Sequence, residues 1–228
     1  PELVVVAAYG RILPDDILAL PPMGCINVHS SLLPKYRGAA PINWAVIRGE
    51  KETGVTIMYM AGELDAGDII AQERTHIDPE ETVENVHDRL ADLGGRLLVQ
   101  TVAELAAGTA RRIPQDHSQA TLAPMLSREL SPIDWSRSGW DIHNQIRGLV
   151  PWPATSTDIF SAEPVKVFKS TLLDQGTDKQ PGTVVAAGKE GIDVACGDGR
   201  LLRILELQAP GGKRMSAASY LAGHPIHL

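Results

Sequence analysis

Apolar runs and polar breaks alternate along the first half of the chain. Leu3-Val4-Val5-Val6-Ala7-Ala8 is an unbroken apolar run, which reads as a strand covered on both faces and therefore in need of neighbours. Pro14-Asp15-Asp16-Ile17-Leu18-Ala19-Leu20 places Pro and two acids in a first helical turn,. Cys25-Ile26-Asn27-Val28-His29 predicts a second short strand, and 30–38 a loop. Pro41 opens a helix through Arg48 that Gly49 can close, and Gly54 leads into a third strand over 55–60. Asp78, followed by Pro79-Glu80-Glu81, has the acid cap, first-turn Pro and N-terminal negative charge of a helix start,. Val83, Val86, Leu90, Leu93, Leu97, Val102 and Leu105 then recur at helical spacing, a core-facing stripe that ends before Gly108,. This alternation predicts an α/β domain with a largely parallel sheet.

The texture changes near Ala110. Pro114, Ser118, Thr121 and Pro124 fall in a polar connector without periodicity. Beyond it, short strand-like runs at 164–169, 182–187, 191–196 and 201–208 are separated by turns such as Gly197-Asp198-Gly199. Strands at this spacing predict a small β barrel. The expected organisation is a first domain over 1–110, a linker over 111–128 and a second domain over 129–228.

Composition narrows the class. With 228 residues, 43% of them hydrophobic and 4% aromatic, the chain can bury a core, which excludes disorder and fibrous folds,. Cys25 and Cys196 cannot make a disulfide scaffold and fit a reducing, cytoplasmic compartment,. No apolar run reaches the roughly 18 residues of a membrane span, and no signal-peptide layout opens the chain. Instead the chain starts at Pro1 and enters a strand at once, so further strands are expected upstream. The formal charge of -7 lies wholly in residues 1–129, with 11 basic and 18 acidic side chains; residues 130–228 hold 10 of each. Neither part has the basic excess that announces nucleic-acid binding, so any such contact must come from a local patch.

The stretch richest in chemistry is Asn27-Val28-His29-Ser30-Ser31-Leu32-Leu33-Pro34. On a strand, residues 27 and 29 share a face, at the carboxyl end where open α/β sheets bind ligands. Asp65, in Glu63-Leu64-Asp65-Ala66-Gly67-Asp68 after the third strand, is expected at the same rim. An amide, an imidazole and a carboxylate suit acyl transfer to an amine. The amide N–H and a protonated His can hold the carbonyl oxygen as it turns negative, and the carboxylate can orient the His and help remove the amine proton. Taken singly, each residue also fits a structural role: a strand-end turn for Asn27, a satisfied core or loop histidine for His29, a turn cap for Asp65. A hydrolase built on Ser30 or Ser31 is disfavoured, because a serine adjacent to the His in sequence is badly placed to share its proton and no Gly-x-Ser-x-Gly elbow occurs. Cys25, His29 and His76 or His87 match no paired metal-ligand spacing. Neither a phosphate-cradling Gly-x-x-x-x-Gly-Lys-Ser/Thr nor a helix-opening Gly-x-Gly-x-x-Gly is present.

These residues, with Arg37-Gly38-Ala39-Ala40-Pro41-Ile42, Thr53-Gly54-Val55-Thr56-Ile57-Met58 and Leu64-Asp65-Ala66-Gly67-Asp68, resemble the folate-dependent formyltransferases. The later segments Ile133-Asp134-Trp135-Ser136, Ile146-Arg147, Pro151-Trp152-Pro153, Pro164-Val165-Lys166-Val167 and Gly197-Asp198-Gly199 are most similar to the members that act on methionyl-tRNA. The resemblance implies transfer of a formyl group from 10-formyltetrahydrofolate to the α-amino group of methionyl-initiator tRNA by a cytoplasmic monomer, without metal or membrane. It implies catalytic roles for Asn27, His29 and Asp65, folate contacts at Ser31, Leu32, Leu33 and Pro34, and a pterin pocket walled by Gly10, Arg11, Ile12 and Leu13. It makes the first domain a Rossmann-like formyltransferase domain and the second an OB-like, tRNA-binding barrel, with Arg147, Lys166, Lys169, Lys213 and Arg214 as candidate phosphate contacts. Family members carry residues ahead of the match, so the first domain is expected to lack its N-terminal portion here. A related transferase acting on a sugar-nucleotide amine, or a catalytically silent binding module, are the remaining alternatives.

Overall fold

In the computed structural model, which describes residues 1–11 and 13–226, four strands of the first half pair in chain order. β1 (Val4–Ala7) runs parallel to β2 (Cys25–His29), whereas β3 (Glu52–Tyr59) is antiparallel to β2 and β4 (Ile69–His76) antiparallel to β3. The sheet is therefore mixed rather than largely parallel. The connection explains why. Helix α2 (Pro41–Ile47) has 7 residues, about 10 Å at 1.5 Å per residue. The 8-residue β3 runs to about 26 Å. So short a helix does not carry the chain back across the sheet, and β3 re-enters where β2 ended, with Thr56 opposite His29. β4 escapes the sequence pattern because only Ile69 and Ile70 are buried, while Gln72, Glu73 and Arg74 face solvent.

Helix α1 (Asp15–Leu18) is a single turn. The long helix α3 (Val83–Ala106) begins at Val83, not at Asp78, because Pro79 and Glu80 form a separate turn. Its stripe is buried at Val83, Val86, Leu90, Leu93 and Leu97. Gly94 allows the close approach to the sheet, since a Cβ there would lie 3.2 Å from Val28 Cγ1. The polar connector also differs from the free linker that its composition suggests. Ile113 exchanges backbone hydrogen bonds with Ile69, at 2.8 and 2.9 Å, and Ala123 N–H donates to the Arg37 carbonyl at 2.7 Å. Residues 85–125 thus cluster with 1–45 and 50–78 as one compact unit.

The second unit comprises 46–49, 79–84 and 126–228. Its antiparallel strands β5 (Thr155–Thr157), β6 (Val165–Gly176), β7 (Val184–Gly188), β8 (Gly191–Ala195) and β9 (Arg200–Gln208) are ordered β5-β6-β9-β8-β7, with β10 (Met215–Ser216) on β9. The four predicted runs lie on β6 to β9, in the expected OB-like element. Helix α4 (Gly139–Gly148), capped by Ser138 Oγ accepting from Asp141 N–H, sends Ile142 and Ile146 into a core with Val165, Val194, Leu202 and Ile204. Helix α5 (Ala217–Gly223) adds Tyr220. Among the described residues no helix is long and apolar enough to cross a membrane.

His143 on α4 is a buried titratable group of this unit. Its Nε2 lies 3.1 Å from the Pro79 carbonyl, which can only accept, so Nε2 carries the proton and Nδ1 accepts from Ser170 Oγ–H at 3.0 Å,. Burial pushes the imidazole below its ordinary value near 6.5, with Arg147 acting the same way and the Pro79 carbonyl and Glu80 opposing. The unfolded chain therefore binds this proton at higher pH than the folded one, and stability falls as pH drops through about 6.5. Urea midpoints compared above and below that pH are expected to show the loss, and a His143→Gln variant is expected to reduce it. An unchanged slope in the variant would contradict this assignment.

Candidate active site

β2 presents Asn27 and His29 on one face, and the loop that follows supplies the partner of the imidazole. Ser31 is fully buried, with its hydroxyl donating to the Lys35 carbonyl at 2.7 Å. Thr56 Oγ1 donates to the Ser31 carbonyl at 2.6 Å and accepts from Leu33 N–H at 3.1 Å. Leu33 packs with Met58 and Ile69. Tyr36 adopts φ +63, and its N–H donates to Thr121 Oγ1 at 2.9 Å. The Tyr36 carbonyl meets His29 Nε2 at 2.9 Å. A carbonyl only accepts, so the proton of the neutral ring is assigned to Nε2. Nδ1 is the nitrogen left to take or release a proton.

The carboxylate of Asp65 lies 3.6 Å from that nitrogen. The expectation that Asp65 shares a carboxyl rim with His29 holds only for parallel strands. Here β3 ends opposite Ile26, and the 60–68 loop doubles back to bring the side chain to the site. Asp65 has φ +48, a left-handed conformation costing a non-glycine residue about 1–3 kcal/mol. Its Oδ2 accepts from Gly38 N–H at 2.8 Å. Its carbonyl accepts from Gln115 Nε2 at 2.8 Å, as does that of Gly67. Gln115 Oε1 in turn accepts from Arg37 Nη2 at 2.7 Å. Sequence reasoning missed Gln115, since a lone Gln in an aperiodic, Pro-containing stretch carries no signal of a contact made 50 residues away.

Asn27, His29 and Asp65 line a cavity of about 560 Å³, in the range that takes a small organic molecule. Gly10, Arg11 and Leu13 also line it, while Ile12 lies outside the described residues. Ser31, Leu32, Leu33 and Pro34 do not line it. They instead build the turn that fixes Tyr36 and Gly38. An amide donor, an imidazole nitrogen and a carboxylate lining one cavity can hold a developing oxyanion and move a proton,. Among the described residues no group of three His, Cys, Asp or Glu side chains could hold a metal ion.

In the second unit, Lys166, Lys169, Lys213 and Arg214 are exposed. Arg214 already pairs with Glu206 at 2.7 Å and lies 4.8 Å over the Phe168 ring. Arg147 departs from the expectation of a phosphate contact. It is 5% exposed, and its guanidinium donates to Asn144 Oδ1 at 2.8 Å and to the Glu81 carbonyl at 2.9 Å. Its position on the inner side of α4 was not visible from its charge.

Residues 1–102 match the family described as formyl transferase, and residues 125–225 match the formyl transferase C-terminal domain. The methionyl-tRNA formyltransferase of Trichlorobacter lovleyi is 50% identical over 228 residues, covering 100% of this chain and 71% of that protein. Among solved structures, HypX from Aquifex aeolicus in complex with tetrahydrofolic acid has a TM-score of 0.74 at 18% identity; the match covers 98% of this chain and 39% of that one. WlaRD, a sugar 3N-formyl transferase solved with dTDP and 5-N-formyl-THF, has a TM-score of 0.72 at 18% identity, covering 88% of this chain and 70% of its own. At these identities the two structures bear on the fold alone.

Gly38 offers a direct test of how the carboxylate is held. It has φ +120, and a Cβ there would lie 2.7 Å from the Ala123 carbonyl oxygen. Gly38→Ala is expected to lower stability by about 1–3 kcal/mol in urea titrations, because the loop must move. A variant as stable as the parent would show that this contact does not constrain the loop.

Proposed function

The chain belongs to the methionyl-tRNA formyltransferase family, and from that premise we propose that it transfers the formyl group of 10-formyltetrahydrofolate to the α-amino group of methionine on initiator tRNA. The observation that carries the reading is that Asn27, His29 and Asp65 line one cavity, in a chain 50% identical along its whole length to a methionyl-tRNA formyltransferase. The cavity volume and its mixed lining fit the formyl-bearing end of a folate, with Gly10, Arg11 and Leu13 beside the pterin.

The chemistry follows from the donors and acceptors present. The amine attacks the formyl carbon, and the carbonyl oxygen becomes negative. Asn27 N–H and the protonated Nδ1 of His29 hold that oxygen, a contribution of about 10²–10³ in rate for one such donor. Asp65 orients the imidazole and accepts the proton that the attacking nitrogen must lose, directly or through a water. The bond from the formyl carbon to the folate nitrogen then breaks, and that nitrogen takes up a proton. One formyl group and one proton have changed places, and no covalent intermediate forms on the protein. Ser31, with its hydroxyl spent on Lys35, supports the folate by holding the loop in shape rather than by touching it.

The second unit supplies the tRNA contacts, through Lys166, Lys169, Lys213 and Arg214. Arg147 supports α4 instead. The protein works as a cytoplasmic monomer on these two co-substrates. Transfer to a sugar nucleotide is the weaker reading, because the sugar formyl transferase shares 18% identity with this chain.

In the full-length protein, His29→Ala is expected to lower turnover with formyl-folate and methionyl-tRNA by about 10²–10⁴; ordinary turnover would sink the assigned role. Affinity for tRNA is expected to fall steeply with salt, and Lys169→Ala to reduce the slope by about 1. A sugar nucleotide that competes with tRNA, with little salt dependence, would overturn the choice of acceptor.

A further inference from the structure

We propose that Gln115 is a positioning residue for formyl transfer, one whose side-chain amide fixes the backbone around Asp65 and thereby aims the carboxylate at His29. The inference rests on the reading of Asp65 as the group that orients His29 and accepts the amine proton.

Three observations carry it. Gln115 is 6% exposed and does not line the cavity, so it acts on no substrate directly. Both of its Nε2 protons are directed at the turn that carries the carboxylate, to the carbonyls of Asp65 and Gly67 at 2.8 Å each. These two carbonyls bracket the peptide units that follow Asp65, whose left-handed φ of +48 its own backbone does not favour,. Gln115 Oε1 takes a hydrogen bond from Arg37, the residue before Gly38, and Gly38 N–H is the donor that holds the Asp65 carboxylate. The connections therefore close on themselves. One amide ties together the segment that bears the carboxylate and the segment that restrains it. Loss of the two Nε2 donations frees the 65–67 backbone to leave the left-handed region and swings the carboxylate away from Nδ1.

A purely structural role would alter stability and substrate affinity, whereas a positioning role lowers kcat through Asp65. The test uses the full-length enzyme with Gln115→Glu, which keeps the side-chain length and the acceptor for Arg37 but cannot donate. The expected result is a kcat lowered by about tenfold to a hundredfold, as for a catalytic group displaced by about 1 Å. KM values for formyl-folate and methionyl-tRNA are expected to stay within about threefold. In an Asp65→Asn background the same substitution is expected to cost less than about twofold, because the group it acts through is gone. Should Gln115→Glu fail to fold, Gln115→Asn, whose shorter amide cannot reach both carbonyls, carries the same expectations. A loss of equal size in both backgrounds, or no loss from Gln115→Glu while Asp65→Asn is crippled, overturns the inference and leaves the role of Asp65 intact. Ordinary turnover by Asp65→Asn alone overturns the role of Asp65 and the inference with it.

Discussion

The carbonyl of Tyr36 can only accept a hydrogen bond, so its 2.9 Å contact with His29 Nε2 settles where the imidazole proton sits and leaves Nδ1 to meet Asp65. Much of the surrounding structure serves to keep that carbonyl in place. The loop before it is closed from inside by Ser31 and Thr56, which are fully buried and hydrogen-bonded to its backbone. From outside, the 121–123 segment pairs with it, Thr121 accepting from the N–H groups of Tyr36 and Arg37 and Ala123 bonding to Arg37 and Ala40. Tyr36 and Asp65 both take left-handed backbone conformations. Each costs free energy that a random loop would not sustain, and each is held by hydrogen bonds from more than one neighbouring segment.

This division of labour explains why the site motif is long while its chemistry is short. Asn27, His29 and Asp65 reach the cavity. The Ser-Leu-Leu-Pro that follows on the chain does not, because Ser31 and Leu33 point into the protein interior. Their contribution is to the direction of one carbonyl and one N–H, at Tyr36 and Gly38. A side chain that aims a backbone group is as constrained as one that touches substrate, since a buried hydroxyl without its partner would itself be costly.

What could be read beforehand follows the range of the interaction. The shared face of Asn27 and His29 needs only the two-residue period of a strand, and the α3 stripe only the 3.6-residue period of a helix. Asp65 was found for a reason that fails: antiparallel pairing of β2 and β3 removes the common carboxyl rim, and a returning loop supplies the carboxylate instead. β4 was missed because its outer residues are polar. Gln115, Thr121 and Ala123 were missed because they act across 50 to 86 residues of sequence, on backbone groups that leave no trace in composition. Arg147 was misplaced because charge alone does not distinguish a solvated guanidinium from one buried against Asn144 and a carbonyl.

The charge of the second half can now be divided by residue type. All five of its arginines have structural partners: Arg137 with Asp141, Arg200 with Asp198, Arg203 doubly with Asp193, Arg214 with Glu206, and Arg147 with Asn144 and the Glu81 carbonyl. Among the described residues its lysines enter no such pair. Arginine's planar fork suits fixed, directional bonding, whereas a lysine ammonium is a hydrated point charge on a flexible stem. The arginines therefore hold strands and helix ends together, Arg214 doing so from an exposed position, and the lysines remain as exposed surface cations. A formally neutral half-chain can in this way keep free surface cations: four of its ten acids are paired with arginines, and its lysines are left exposed to mobile counterions that a phosphate backbone can displace,.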